Sequence, residues 1–359
     1  MRERVYNFAA GPSAMPEEVL LRAREELMNW GGTRMSVMEM SHRSPAFQEI
    51  IDSTREKLKA LMRVPDSHEI LFLQGGATLQ FAAIPMNLLA GGTADYAITG
   101  NFSQKAATEA EKYGTVRIAA NTSAEGHTRI PRQEELRFSE GARYFYYCAN
   151  NTVYGTEWQY TPQCPAPLVA DMSSDILSRE VDFSRHGLVY AGAQKNMAPA
   201  GLTVVMVDRS LVSDPLPYTP EILRYDVMCR HHSLLNTPPC WCIYMLGLML
   251  DWVAERGGIP GMEARKKERS AVLYDLLDNS RLFRPRAQVG SRSDMNITFT
   301  AGSEELDREF LAGAAKRGLV NLKGHKVTGG LRASLYNAMT MEGVRALENY
   351  MKEFEYHHV

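Results

Sequence analysis

The chain has 359 residues, 45% of them apolar, enough to bury one large core and a second, smaller one. Its 40 basic and 42 acidic side chains leave a formal net charge of -2, with no basic excess to track a nucleic-acid backbone or an anionic lipid surface. The opening stretch MRERVYNFAAGPSAMP lacks an apolar run of signal-peptide length, and the longest apolar stretch, Cys240 to Leu250, is too short to span a bilayer; a soluble cytoplasmic protein is expected, with neither nucleic acid nor membrane as a partner.

From Pro16 to Trp30 the pattern predicts an amphipathic helix with proline in its first turn and glycines after it, and a second helix follows from Pro45 to about Val64. Short β-rich runs then alternate with helical ones: HEILFL from His68, DYAIT from Asp95, TVRIA from Thr115, RYFYYCA from Arg143, PLVAD from Pro167, GLVYAGA from Gly187 and GLTVVMV from Gly201. The alternation implies an α/β fold, a mostly parallel sheet with helices on both faces. The helix after Pro239 is almost wholly apolar and must be buried in a core or an interface, and it ends at Gly257 and Gly258. A charged helix from about Gly261 to Asn279, the strand DMNITFT, a helix from Glu304, a short strand near Gly318 and a last helix from Met341 complete a smaller α+β unit. The expected division is a large domain over 16–257 and a small C-terminal domain over 258–359, the latter joined by residues 1–15. The five cysteines are odd in number and irregularly spaced, with no C-x-x-C pair, so they read as thiols of a reducing compartment and no metal site is expected.

Chemistry is most visible in VYAGAQKNMAPAGL, where Lys195 sits between two apolar strands. Loss of solvation there lowers an amine's pKa and leaves it neutral enough to attack an aldehyde. On that segment alone, a surface lysine in a loop is the better reading. Asp171 changes the balance: it ends the strand PLVAD, at the carboxyl edge where α/β sheets put ligand contacts. A pyridoxal-phosphate ring needs such a carboxylate at its pyridine nitrogen, although a lone Asp at a strand end is more often a helix cap. The third element is LQGGATLQF, a strand, Gly75-Gly76 and a helix start, whose free N–H groups can cradle a phosphate; no G-x-G-x-x-G or Walker lysine accompanies it. His42 and Arg43 in MSHRSPAF, with His325, Lys326 and Arg332 in GHKVTGGLRASLYN, lie beside glycines rather than along helical faces with acidic partners, which points to an anionic ligand.

Taken together, NFAAGPSAMP, MEMSHRSPAF, QGGATLQF, ADMSSDILSR, AGAQKN, LLNTPP and GGLRASLYNA resemble the phosphoserine aminotransferase family of fold-type I pyridoxal-phosphate enzymes, in order and spacing over nearly the whole chain. The resemblance implies pyridoxal 5'-phosphate as cofactor, Lys195 as its covalent lysine, Asp171 on the pyridine nitrogen and Thr152 beside the ring hydroxyl. It further implies Ala77, Thr78 and Gln194 on the cofactor phosphate, with Asn236 and Thr237 reaching the same phosphate from the second subunit of a homodimer. Arg332 is implied as the clamp on the substrate α-carboxylate, and His42, Arg43, His325 and Lys326 as the subsite for a phosphate or the glutamate side chain. The implied reaction moves the amino group of glutamate to 3-phosphohydroxypyruvate in serine biosynthesis, and some members also take 4-phosphohydroxythreonine.

Two positions depart from the family pattern. Phe102 stands where a tryptophan commonly stacks on the ring, and Thr78 where some members have an arginine in the phosphate loop. Three other readings stay open on the residues. A cysteine desulfurase needs a nucleophilic cysteine in the second domain, and no cysteine lies beyond Cys242. An aminotransferase for pyruvate or glyoxylate is disfavoured by the His325-Lys326 pair, and a non-catalytic phosphometabolite binder would make Lys195 and Asp171 accidental.

Overall fold

The structure, a computed structural model, describes residues 4–359. Helix α1 (Glu17–Glu26) carries Glu17 and Glu18 in its first turn, where the helix dipole favours acids. It stops short of the expected Trp30, because Gly31 adopts φ 54° and a separate single turn, Trp30–Gly32, follows. Helix α2 (Pro45–Met62) is capped by Ser44, whose hydroxyl accepts from the Phe47 N–H, with Pro45 at the first position.

The alternating region builds a seven-stranded sheet from β1 (His68–Leu73), β2 (Thr93–Ile98), β3 (Thr115–Asn121), β4 (Phe145–Cys148), β5 (Leu168–Asp171), β6 (His186–Gly192) and β7 (Thr203–Asp208), in spatial order β1-β7-β6-β5-β4-β2-β3. Strand β7 runs antiparallel to both neighbours, and the other pairings are parallel. Successive side chains point to opposite faces. Phe72, Ala170 and Val189 therefore pack with residues of α1, α2 and α6 (Cys240–Ala254), whereas Leu71, Val169 and Leu188 pack with α3 (Gly76–Leu88), α4 (Asn101–Ala110) and α5 (Tyr225–Arg230).

Helix α7 (Gly258–Asn279) starts a turn earlier than its charge pattern indicated, since Gly257 at φ +87° is the residue that opens it. It leads to a second sheet of β8 (Arg284–Pro285), β9 (Asn296–Thr300) and β10 (Leu331–Ser334), flanked by α8 (Glu304–Lys316) and α9 (Met341–His358). Phe283, Phe299, Phe310, Leu347 and Phe354 form a separate core there. The chain start belongs to this core: Tyr6–Asn7 pairs in parallel with Leu319–Val320, and Phe8 is fully buried within it. Strand β10 was not expected from sequence because its glycine-rich lead-in masks the pattern of Leu331 and Ala333 inward with Arg332 between them. Among the described residues no helix is long and apolar enough to cross a membrane.

Candidate active site

Just beyond the carboxyl ends of β4, β5 and β6, Asn150 donates to Asn296 of the second sheet at 2.8 Å, and several of the residues singled out by sequence meet there. Lys195 follows β6 in a turn whose Ala193 N–H returns to Leu202 O at 2.9 Å. Its Nζ donates to Thr152 Oγ1 at 2.8 Å and lies 5.3 Å from the centre of the Phe102 ring. Burial is the main cause that lowers the Lys195 pKa; the charges of Asp171 and Cys148 act against it, and Arg332 adds to it. The N-terminal segment closes over the stem of the lysine. A Cβ on Gly11, which sits at φ +137°, would come within 3.0 Å of Lys195 Cγ, so only glycine fits there. Ser13 fastens the same turn, its N–H donating to Gln194 O at 3.0 Å and its hydroxyl to Lys195 O.

Asp171 ends β5 with its carboxylate already oriented. Oδ1 accepts from the Ser173 N–H (2.9 Å) and hydroxyl (2.6 Å), and Oδ2 accepts from the Tyr190 hydroxyl at 3.1 Å. Ser173 Oγ also accepts from the Gly192 N–H at 3.0 Å, tying the Asp171 loop to the end of β6. Thr152, in the turn between Asn150–Asn151 and Thr156–Glu157, meets both sides of the cleft: its hydroxyl accepts from Lys195, its carbonyl from Arg332 at 3.1 Å.

Gly75 (φ +87°) precedes α3 and provides no capping side chain, which leaves the first N–H groups of the helix, with Ala77 and Thr78, free to face an anion. Gln194 reaches the same end, since a Cβ on Gly192 would lie 2.8 Å from Gln194 Oε1 and 3.4 Å from Ala77 Cβ. In the loop before β10, burial first and then the charges of Arg332, Lys326 and, from α4, Lys105 depress the His325 pKa, so these cations share one field. The Arg332 pKa is itself lowered by burial.

Four expected residues make no hydrogen bond to Lys195, Asp171, Thr152 or Arg332 within the chain. His42 Nε2 is buried with no hydrogen-bond partner among the described residues, and Arg43 is exposed. Asn236 and Thr237 are exposed near the start of α3, where Gln74 donates to Thr237 O at 2.8 Å. Sequence reasoning missed Ser173, Tyr190, Gly11, Ser13 and Lys105. The serine two residues after an aspartate is a local turn signal that could have been read; the others act across the fold.

The aminotransferase class-V family model matches residues 5–347. A phosphoserine aminotransferase of Aromatoleum aromaticum is 50% identical over 359 residues, covering 98% of both chains, and one of Geobacillus kaustophilus is 48% identical with the same coverage. The solved phosphoserine aminotransferase from Bacillus circulans subsp. alkalophilus superposes with a TM-score of 0.97 at 43% identity, covering 99% of both chains. The pyridoxal-phosphate-bound enzyme from Trichomonas vaginalis gives a TM-score of 0.94 at 39% identity, covering 97% of this chain and 100% of that one. The chain belongs to the phosphoserine aminotransferase family. It is therefore a pyridoxal-phosphate-dependent aminotransferase, and the site has what that cofactor needs. A flat apolar ring (Phe102), an oriented carboxylate (Asp171), a hydroxyl (Thr152), an uncapped helix start (α3) and an amine of lowered pKa (Lys195) surround one space.

Proposed function

We propose that this phosphoserine aminotransferase family member transfers the amino group of glutamate to 3-phosphohydroxypyruvate, giving phosphoserine and 2-oxoglutarate. The observation that carries the reading is the meeting of Lys195 and Arg332 on the two faces of Thr152, which puts a neutralisable amine beside a carboxylate-binding guanidinium.

When bound, pyridoxal phosphate supplies an electron-accepting ring that stabilises charge at the substrate Cα. Asp171 would hold its ring nitrogen, Thr152 its hydroxyl, Phe102 its face, and Ala77, Thr78 and Gln194 its phosphate. Lys195 would take the proton from the Cα of the amino donor and, in the reverse half-reaction, deliver a proton to the Cα of the keto acid, because its environment favours the neutral amine. Arg332 holds the α-carboxylate and so keeps the Cα near Lys195. His325 and Lys326, with Lys105 in the same field, bind the second anionic group, which is a phosphate on one substrate and a carboxylate on the other.

Residues 16–257 act in this reading as the cofactor domain, with 258–359 and the N-terminal segment as the domain that brings Arg332. A homodimer completes the site, Asn236 and Thr237 meeting the cofactor phosphate, and His42 and Arg43 the substrate, from the second copy. The exposure of Asn236, Thr237 and Arg43 supports this. The five free thiols fit a cytoplasmic location. Double substitution of His325 and Lys326 by alanine tests the anion subsite: KM for 3-phosphohydroxypyruvate should rise by about tenfold or more. An unchanged KM removes both residues from the subsite.

A further inference from the structure

Asn196 and Asn337 come from the blocks AGAQKN and GGLRASLYN, and the chemistry above uses neither. In the fold they meet. The Asn337 N–H donates to Asn196 Oδ1 at 2.8 Å, the Asn196 amide donates to Ile176 O, and the Asn337 amide donates to Leu177 O at 2.9 Å. Both asparagines are 3% exposed, and Ile176 and Leu177 are fully buried. Leu177 adopts φ 62°, a left-handed conformation unfavourable for a leucine, so its carbonyl stays where it is only because the surroundings hold it. Asn337 thus fastens three segments at one point: the turn of Lys195, the loop that follows Asp171, and the end of β10, which carries Arg332.

Behind Asn337 stands Arg269 of α7, 4% exposed. Its terminal Nη1 donates to Asn337 O at 2.9 Å and to Met339 O, whereas Nε and Nη2 have no partner among the described residues. Burial, and then the neighbouring Arg265, push its pKa down to about 10, with Glu268 opposing. A guanidinium buried against two carbonyls and no carboxylate is costly, and an apolar side chain would fill the space without that cost. What the guanidinium does that an apolar side chain cannot is hold the backbone of Asn337 and Met339.

We propose that Asn337, Asn196 and Arg269 form a latch between the two sheets that sets where Arg332 stands relative to Lys195, which makes Asn337 and Arg269 positioning residues for carboxylate substrates. The inference rests on the reading of Arg332 as the carboxylate clamp. The test uses the cofactor-loaded enzyme and glutarate, which has both carboxylates of glutamate and no amino group to react. Calorimetry measures its affinity for the parent and for Asn337→Leu, Arg269→Met, Arg269→Lys and Arg332→Ala, alongside cofactor affinity, the absorbance of the bound cofactor and Tm. Asn337→Leu keeps the side-chain shape and the backbone N–H but loses the bond to Leu177 O. Glutarate binding should weaken by about tenfold in Asn337→Leu and Arg269→Met and recover in Arg269→Lys, with cofactor affinity and absorbance retained. If Arg269→Met does not fold, Asn337→Leu decides alone. Loaded Asn337→Leu that binds glutarate like the parent, whatever its Tm, overturns the latch while Arg332→Ala loses binding. Unchanged binding in Arg332→Ala overturns the clamp reading and the latch with it.

Discussion

An amine can take a proton only when it is neutral, and burial moves Lys195 in that direction more than Asp171 and Cys148 hold it back. Lys195→Ala should therefore abolish turnover yet leave a protein that binds pyridoxal phosphate non-covalently, seen as bound cofactor absorbance that dilution or dialysis removes. Substantial transamination by that variant would take the proton-transfer role away from Lys195. Arg332→Ala should raise KM for both amino and keto acids by roughly tenfold to a hundredfold, the value of a charged hydrogen-bonded pair of about 1.5–3 kcal/mol. An unchanged KM for both would exclude it from the carboxylate site. Lys195 and Asp171 were legible because Asp171 ends a readable apolar strand and Lys195 follows one in its turn. Ser173 and Tyr190, which orient Asp171, were not singled out: the tyrosine is one more buried residue of a core strand until the fold brings its hydroxyl 3.1 Å from Asp171 Oδ2. Gly11 carried no signal of its contact with Lys195, since glycine serves any turn and its partner here is far along the chain.

Helix α7 shows where patterning fails at the scale of an element. Its run MEARKKERS is read from sequence only as charged, yet Lys266 is 2% exposed and donates at 2.9 Å to Glu157, which is 1% exposed. Arg179 continues the cluster to Asp175 at 2.8 Å. Charge runs cannot announce buried partners on other elements, and these partners come from the short ribbon at Thr156–Glu157 and the loop after Asp171. Lys266→Met would leave Glu157 without its nearest counter-ion and should cost about 3–5 kcal/mol in denaturant unfolding; a loss below about 1 kcal/mol would mean Arg179 alone suffices. At the start of β6, His186 is buried and neutral: its Nδ1–H donates to Asp182 O at 2.7 Å and Nε2 accepts from the Tyr147 hydroxyl at 2.8 Å. Burial is the chief cause that lowers its pKa from 6.5 to about 4. The unfolded chain thus binds the extra proton first, so stability contributed by this group is complete above pH 6.5 and is lost as pH falls toward 4. The loss is on the order of 3 kcal/mol, and His186→Gln should flatten that part of the stability profile. An equally steep decline in the variant would assign the acid sensitivity to other groups.

Over the whole molecule, the large sheet was readable because its strands are continuous apolar runs of the kind that buried parallel strands require. The smaller unit was readable in its helices but not in β10, so sequence could name Arg332 without placing it opposite Lys195. A division of labour between two copies, as proposed above, is a matter of geometry that one chain's pattern does not contain. It can be tested by mixing Lys195→Ala with Arg43→Ala: if each site takes Arg43 from the other copy, mixed dimers regain one intact site and activity at low substrate rises above that of either protein alone. No recovery after subunit exchange would place Arg43 in the site of its own chain.

Coupled transamination tests most directly whether the paired anion subsites select a phosphorylated keto acid. Cofactor-loaded protein is given glutamate with 3-phosphohydroxypyruvate in one tube and with pyruvate in another, and 2-oxoglutarate is followed in both. Rapid formation with the phosphorylated acid alone is the expected result; equal or faster turnover with pyruvate, or none with either, would contradict it.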